Sequence, residues 1–173
     1  MSEPEGDRMS EPIELLVNGT PTTVAVDPLT PLREVLGEQL GLRSVREPCG
    51  VGACGACTVL VGGHAVKACL RPVGLVGDRD VTTAEGLPRD DEVVAAFASR
   101  NAFQCGYCIP GFVMTVHALL ATNPPPSPDV IRNELAGNLC RCGSYGAILE
   151  AVGDLLALDS TQPARPSPPL QPG

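Results

Sequence analysis

The chain has no tryptophan, three phenylalanines, two tyrosines and only two histidines in 173 residues. With so few aromatic rings, a core has to be packed from Val, Leu and Ala, and small domains of that kind are often stapled by metal. Basic residues are also scarce, 12 against 20 acidic ones for a formal charge of -8. That balance argues against nucleic acid and anionic membrane surfaces as partners. No apolar run is long enough to span a bilayer. The opening residues, Met1 to Met9, have neither a basic segment followed by an apolar core nor a twin arginine, so a cytoplasmic chain is expected. Met9-Ser10-Glu11-Pro12 repeats the opening Met-Ser-Glu-Pro, which makes Met9 an alternative start.

What the chain does have is eight cysteines in two sets of four. Cys49, Cys54 and Cys57 read as C-x4-C-x2-C, and Cys69 follows after eleven residues. That is the plant-type spacing for a [2Fe-2S] cluster. Cys105 and Cys108 form a C-x2-C pair, Cys140 and Cys142 a C-x-C pair, and no cysteine is left over. Disulfides would need an oxidising compartment. Structural zinc also uses paired C-x2-C motifs, but zinc ribbons place two short-spaced pairs on two knuckles. Here one glycine-rich loop carries three ligands of the first set, so two iron-sulfur clusters are expected and zinc is the runner-up.

Along the chain, residues 1–11 read as disordered. The apolar run Ile13 to Val17, the turn Asn18-Gly19 and the β-branched run Thr22 to Val26 predict a hairpin. Thr30 is the expected cap of a helix with Pro31 at its first position, carrying Leu32, Val35, Leu36 and Leu40 before Gly41. The ligand loop from Glu47 to Val59 interleaves Gly50, Gly52 and Gly55 with cysteines. Glycine lets backbone N–H groups approach an anionic cluster without a Cβ in the way. Thr58 to Val61, Gly62-Gly63 and Ala65 to Ala68 predict a second hairpin, and the β-rich half ends near Val81-Thr82-Thr83.

The second half changes to helical periodicity. Four helices are expected: Asp90 to Arg100, a stripe from Phe112 to Leu120 after Pro110, a short one capped by Ser127 that starts near Pro128, and Tyr145 to Leu158. Such a set suggests a small bundle. Cys105 and Cys108 precede the second of these helices, Cys140 and Cys142 the fourth, so two positive helix N-termini would face one anionic centre. The Pro-rich stretch 159–173 reads as a disordered tail.

Three runs, Cys49 to Val59, Gln104 to Gly111 and Gly137 to Cys142, resemble the small iron-sulfur subunit of the xanthine oxidase family. These are the molybdenum hydroxylases, which include bacterial carbon monoxide, aldehyde, nicotinate and isoquinoline dehydrogenases. The resemblance spans about residues 12 to 158. It implies an α+β chain: a plant-type ferredoxin-like (β-grasp) domain over 12–84, then a four-helix iron-sulfur domain over 85–158. It also implies a cluster on Cys49, Cys54, Cys57 and Cys69 at the flavin side, and one on Cys105, Cys108, Cys140 and Cys142 at the molybdenum side. A large partner subunit would hold a molybdenum-pterin dinucleotide and a medium one FAD, in a heterotrimer or a dimer of heterotrimers. The chain would be the electron-transfer subunit of an oxidoreductase, turning over no substrate by itself.

The same resemblance places Gln104 and Cys142 beside the pterin. An amide and a thiolate suit a heterocycle edge rich in N–H groups and ring nitrogen, although a free amide also satisfies turn backbone. Arg141 either offsets cluster charge or is solvated. Gly143-Ser144 and Ile109 depart from the family pattern at positions that are not ligands and bear on hydrogen bonding near the second cluster. His64 and His117 read as structural, since a Rieske-type centre needs histidine in place of two cysteines. The competing readings are a free-standing two-cluster carrier and a structural zinc module. The loop containing Gln104 favours the electron-relay subunit, because a free carrier has no use for a pterin-facing segment.

Overall fold

The computed structural model describes residues 12–122 and 126–159. Of the expected disordered segments, 1–11 and residues 160–173 of the tail lie outside these, whereas Asp159, expected in the tail, ends the last helix. Strands β1 (Pro12–Val17) and β2 (Thr20–Ala25) pair in antiparallel register, Val17 opposite Thr20. Asn18 and Gly19 both have positive φ, 50° and 74°. Two successive left-handed residues make the tight hairpin turn whose twist matches its strands. Strands β3 (Thr58–Val61) and β4 (His64–Lys67) repeat the device around Gly62-Gly63.

The fifth strand, β5, is only Val81–Thr82, yet it is the centre of the sheet, whose order is β2-β1-β5-β3-β4. It runs parallel to β1 and antiparallel to β3. The residues expected to end the β-rich half therefore join its two hairpins. Val81 is fully buried, and it packs with Leu15, Val17, Val59 and Val61.

The helix expected at residues 30–41 is corrected in its start and in its winding. Pro31 lies outside it with ψ 133° and forms a β-bridge with Pro72, and no side chain accepts a capping hydrogen bond at its start. The carbonyl of Thr30 instead accepts the Val73 N–H at 2.9 Å. Helix α1 is one turn, Leu32–Glu34, which widens into a π-helical turn over Val35–Gln39. Leu32, Val35 and Leu36 are fully buried against the sheet. The register shift follows from the bridge to Pro72, a contact distant in sequence that outweighs local capping preference.

Helices α2 (Glu92–Ser99), α3 (Ile109–Leu120), α4 (Pro128–Leu135) and α5 (Tyr145–Asp159) share a second core. Val93, Phe97, Phe112, Val116, Ile131 and Ile148 lie in it. The α2 cap is Asp91, whose carboxylate accepts the Val94 N–H at 2.9 Å and faces His117 Nε2 on α3 at 3.0 Å. Arg100 at the other end of α2 forks onto Asp154 of α5 at 2.6 and 2.7 Å. Ser127 caps α4 as its sequence suggests, with Pro128 opening the helix. Helix α3 is buried from Gly111 through Val116 because it serves both cores, packing on its sister helices and across β3 and β4.

Candidate metal centres

The loop between α1 and β3 brings three cysteines together, and the short 3-10 turn Ala68–Leu70 after β4 supplies the fourth. The thiols associate in two pairs, Cys49 with Cys54 and Cys57 with Cys69, and the pairs lie close enough for Cys54 and Cys57 to interact electrostatically. Backbone N–H groups of Val51, Ala53 and Cys54 point at the Cys49 sulfur, that of Ala56 at Cys54, and that of Cys69 at Cys57. The Val51 N–H, followed by the Cys54 thiol, lowers Cys49 to about 7. Burial raises Cys54 and pushes Cys57 up to about 11.

The second set is built the same way from two other loops. Cys105 and Cys142 have sulfurs 3.5 Å apart, and Cys108 contacts Cys140. Cys108 immediately precedes α3 as its cap residue. Ser144, just before α5, directs its N–H at the Cys140 sulfur at 3.4 Å. Burial and the Cys140 thiol push Cys108 up to about 12. Cys140 is also penalised by burial, but the N–H and hydroxyl of Ser144 and the Cys108 thiol outweigh it and hold the group below its ordinary value. The Tyr107 N–H, then Cys142, lowers Cys105.

Each set therefore combines a thiol that ionises readily with one whose proton is held by burial. A bound cation removes that conflict, since coordination deprotonates thiols outright and metal binding releases the protons. All eight are free thiols. The donor sets fit anionic sulfur-rich clusters: thiolates two by two, with amide donors aimed at the sulfurs.

The two sets are joined where the halves meet. Leu139, next to Cys140, donates its N–H to the Cys54 carbonyl at 2.8 Å. Asn138, 1 % exposed, donates its amide to the Gly55 carbonyl at 3.2 Å, and its Oδ1 lies 3.1 Å from the Thr115 hydroxyl. Gly55 has φ 72°, and a Cβ there would sit 2.6 Å from the Gly137 carbonyl. A Cβ on Gly111 of α3 would in turn collide with the Gly55 carbonyl. Lys67 of β4 reaches the Gly137 carbonyl at 3.1 Å. None of Asn138, Thr115 or Gly111 stands out as a site residue in sequence. Their one signal is that Asn138 and Gly111 lie inside the motifs that carry the cysteines.

Gln104 is exposed and donates to the Cys142 carbonyl at 3.3 Å, so the two residues assigned to a pterin edge are adjacent. Arg141 is exposed between its two cysteines. His117 serves the α2 cap at Asp91, and His64 is exposed on β4.

Two family descriptions match consecutive parts of the chain, a 2Fe-2S iron-sulfur cluster binding domain at residues 15–83 and a [2Fe-2S] binding domain at residues 83–153. The protein is thus of the class with two [2Fe-2S]-binding domains. It is 39% identical over 143 residues to the nicotinate dehydrogenase small FeS subunit of Eubacterium barkeri, covering 81% of this chain and 91% of that one. It is 44% identical over 147 residues to the xanthine dehydrogenase iron-sulfur-binding subunit of Escherichia coli O157:H7, covering 82% and 92%. Quinoline 2-oxidoreductase from Pseudomonas putida 86 superposes with a TM-score of 0.79 at 33% identity, over 87% of this chain and 94% of the matched one. The chain belongs to the iron-sulfur subunits of the xanthine oxidase family, the molybdenum hydroxylases. It is accordingly part of an oxidoreductase, with an electron-transfer role.

Proposed function

We propose that this chain relays single electrons from a molybdenum-pterin centre in a large partner subunit towards FAD in a medium one. Cys105, Cys108, Cys140 and Cys142 are the ligands of the [2Fe-2S] cluster on the molybdenum side. Cys49, Cys54, Cys57 and Cys69 hold the one on the flavin side. When bound, these clusters supply one-electron redox chemistry that no side chain here provides. The protein's part is to hold the thiolates in pairs, to aim N–H groups at the sulfurs, and to keep the two ligand loops in register.

The observation that carries this reading is the pairing of thiols within each set together with the direct Leu139 to Cys54 hydrogen bond between sets. Two thiolates per iron suit a two-iron centre, whereas one zinc ion draws four thiolates to a single point. Gln104 and Cys142, adjacent and partly open to solvent, form the edge that meets the pterin. The sheet order and the shared core of α2 to α5 support a ferredoxin-like β-grasp domain over 12–84 and a four-helix domain over 85–158.

The assembly is a heterotrimer or a dimer of heterotrimers, in the cytoplasm, where eight free thiols stay reduced. Among the described residues no helix is long and apolar enough to cross a membrane. Purification from native cells through a tag on this chain tests the reading. Two larger chains, with molybdenum and FAD in the preparation, are expected. A redox-active monomer without them points to the free-standing carrier.

A further inference from the structure

Arg46 stands three residues before Cys49, and its N–H donates to the Ala56 carbonyl at 3.3 Å, so its backbone belongs to the N-terminal ligand loop. Its guanidinium spans from that loop to the second, with Nε donating to the Arg43 carbonyl at 3.3 Å. Nη1 donates to the Gly106 carbonyl at 3.0 Å, and the guanidinium carbon lies 4.8 Å from the centroid of the Tyr107 ring. Gly106, at φ 73°, lies between the ligands Cys105 and Cys108. The peptide joining Gly106 to Tyr107 thus carries a cation on its oxygen, and its N–H end points at the Cys105 sulfur.

A hydrogen bond at one end of an amide polarises the unit and strengthens the bond at the other. Stronger N–H donation to cluster sulfur, and positive charge nearby, both favour the reduced form and raise the potential. Arg is suited to the role because it stays charged and stacks on an aromatic face while it donates.

We propose that Arg46 is a positioning residue that raises the reduction potential of the centre held by Cys105, Cys108, Cys140 and Cys142, acting through the Gly106–Tyr107 peptide; this rests on the ligand assignment above. A residue of one half thereby makes the centre of the other half a better acceptor for electrons arriving from the molybdenum side. The larger effect falls on the second centre, because Nη1 and the ring contact reach the second loop beside its ligands, whereas in the first loop the side chain meets only the Arg43 carbonyl, well before Cys49.

The test is a redox titration followed by low-temperature EPR on the full chain carrying both centres, in wild type, Arg46→Gln and Arg46→Lys. Iron and sulfide contents and both signals are retained in Arg46→Gln, while the midpoint of the C-terminal centre moves to lower potential and that of the N-terminal centre moves much less. Arg46→Lys, which keeps the charge and a donor, shows a smaller downward shift. An unchanged C-terminal midpoint in Arg46→Gln, or equal shifts of both centres, overturns the proposal. Should Arg46→Gln lose iron, Tyr107→Leu, which keeps the backbone N–H but removes the stacking ring, gives the same downward direction, and no shift there overturns it as well. Wild type without two signals would instead overturn the ligand assignment.

Discussion

The N–H of Leu139 is bonded to the carbonyl of Cys54 at 2.8 Å, which makes the ligand loops of two separate cores a single hydrogen-bonded unit. Around that bond the packing leaves no room for a Cβ at Gly55 or Gly111. The Gly55 carbonyl accepts from Thr58 and from Asn138, and α3 approaches it at Gly111, where a Cβ would collide with it.

Gly111→Ala is therefore expected to push α3 off the N-terminal loop. Overpacking of this kind costs about 1–3 kcal/mol. The checking measurement is thermal unfolding of the cluster-loaded chain, with iron content before heating. Gly146→Ala is the control, since a Cβ there meets nothing within 4 Å. A Gly111→Ala variant as stable as the control contradicts the close approach.

Asn138→Leu removes the amide that bridges Gly55 and Thr115 in a buried place. Leaving buried polar groups short of a partner costs about 1–3 kcal/mol. Denaturant unfolding reads the loss directly, and paired with Thr115→Val it gives a coupling energy. Additive effects of the two substitutions would show that the 3.1 Å contact contributes nothing.

Glu85 ties the segment between the halves back to the first. Its carboxylate is penalised by burial, but hydrogen bonds from the N–H and hydroxyl of Ser44 and from Thr83 hold it below the usual carboxylate range. A folded-state pKa below the unfolded one means stability that is fully present above the ordinary carboxylate pKa and is lost as pH falls through the folded value. Relative to Glu85→Gln, the wild type is thus more stable at neutral pH, and the gap in melting temperature narrows on acidification. Glu85 itself is exposed, so the gap is small. A gap that widens in acid gives the wrong sign.

Cys140→Ser and Cys49→Ser test the proposed division into two ligand sets. On the proposed assignment each is expected to remove one EPR signal, with Cys140→Ser stopping electron entry from molybdenum and Cys49→Ser leaving entry intact but blocking passage to the flavin. If both variants lose the same signal, the division of the eight cysteines is wrong.

The hairpins were legible because their turns are local: Asn18-Gly19 and Gly62-Gly63 encode their own left-handed geometry. The helices of the second half were legible from their apolar stripes, and Ser127 with Pro128 from capping chemistry. Strand β5 was not, since two residues carry no period and its place in the sheet comes from β1 and β3. Thr30 misled as a cap because the bridge from Pro31 reaches Pro72, far along the chain. Among the candidate site residues, the cysteines stand out by spacing. Arg46 and Asn138 do not, because their contacts exist only when the two loops meet.

The most direct test is the iron, zinc and acid-labile sulfide content of the purified chain, with low-temperature EPR after dithionite reduction. Two [2Fe-2S] centres predict about four irons and four sulfides per chain and two distinguishable signals. Zinc without sulfide, and no signal, would contradict the relay.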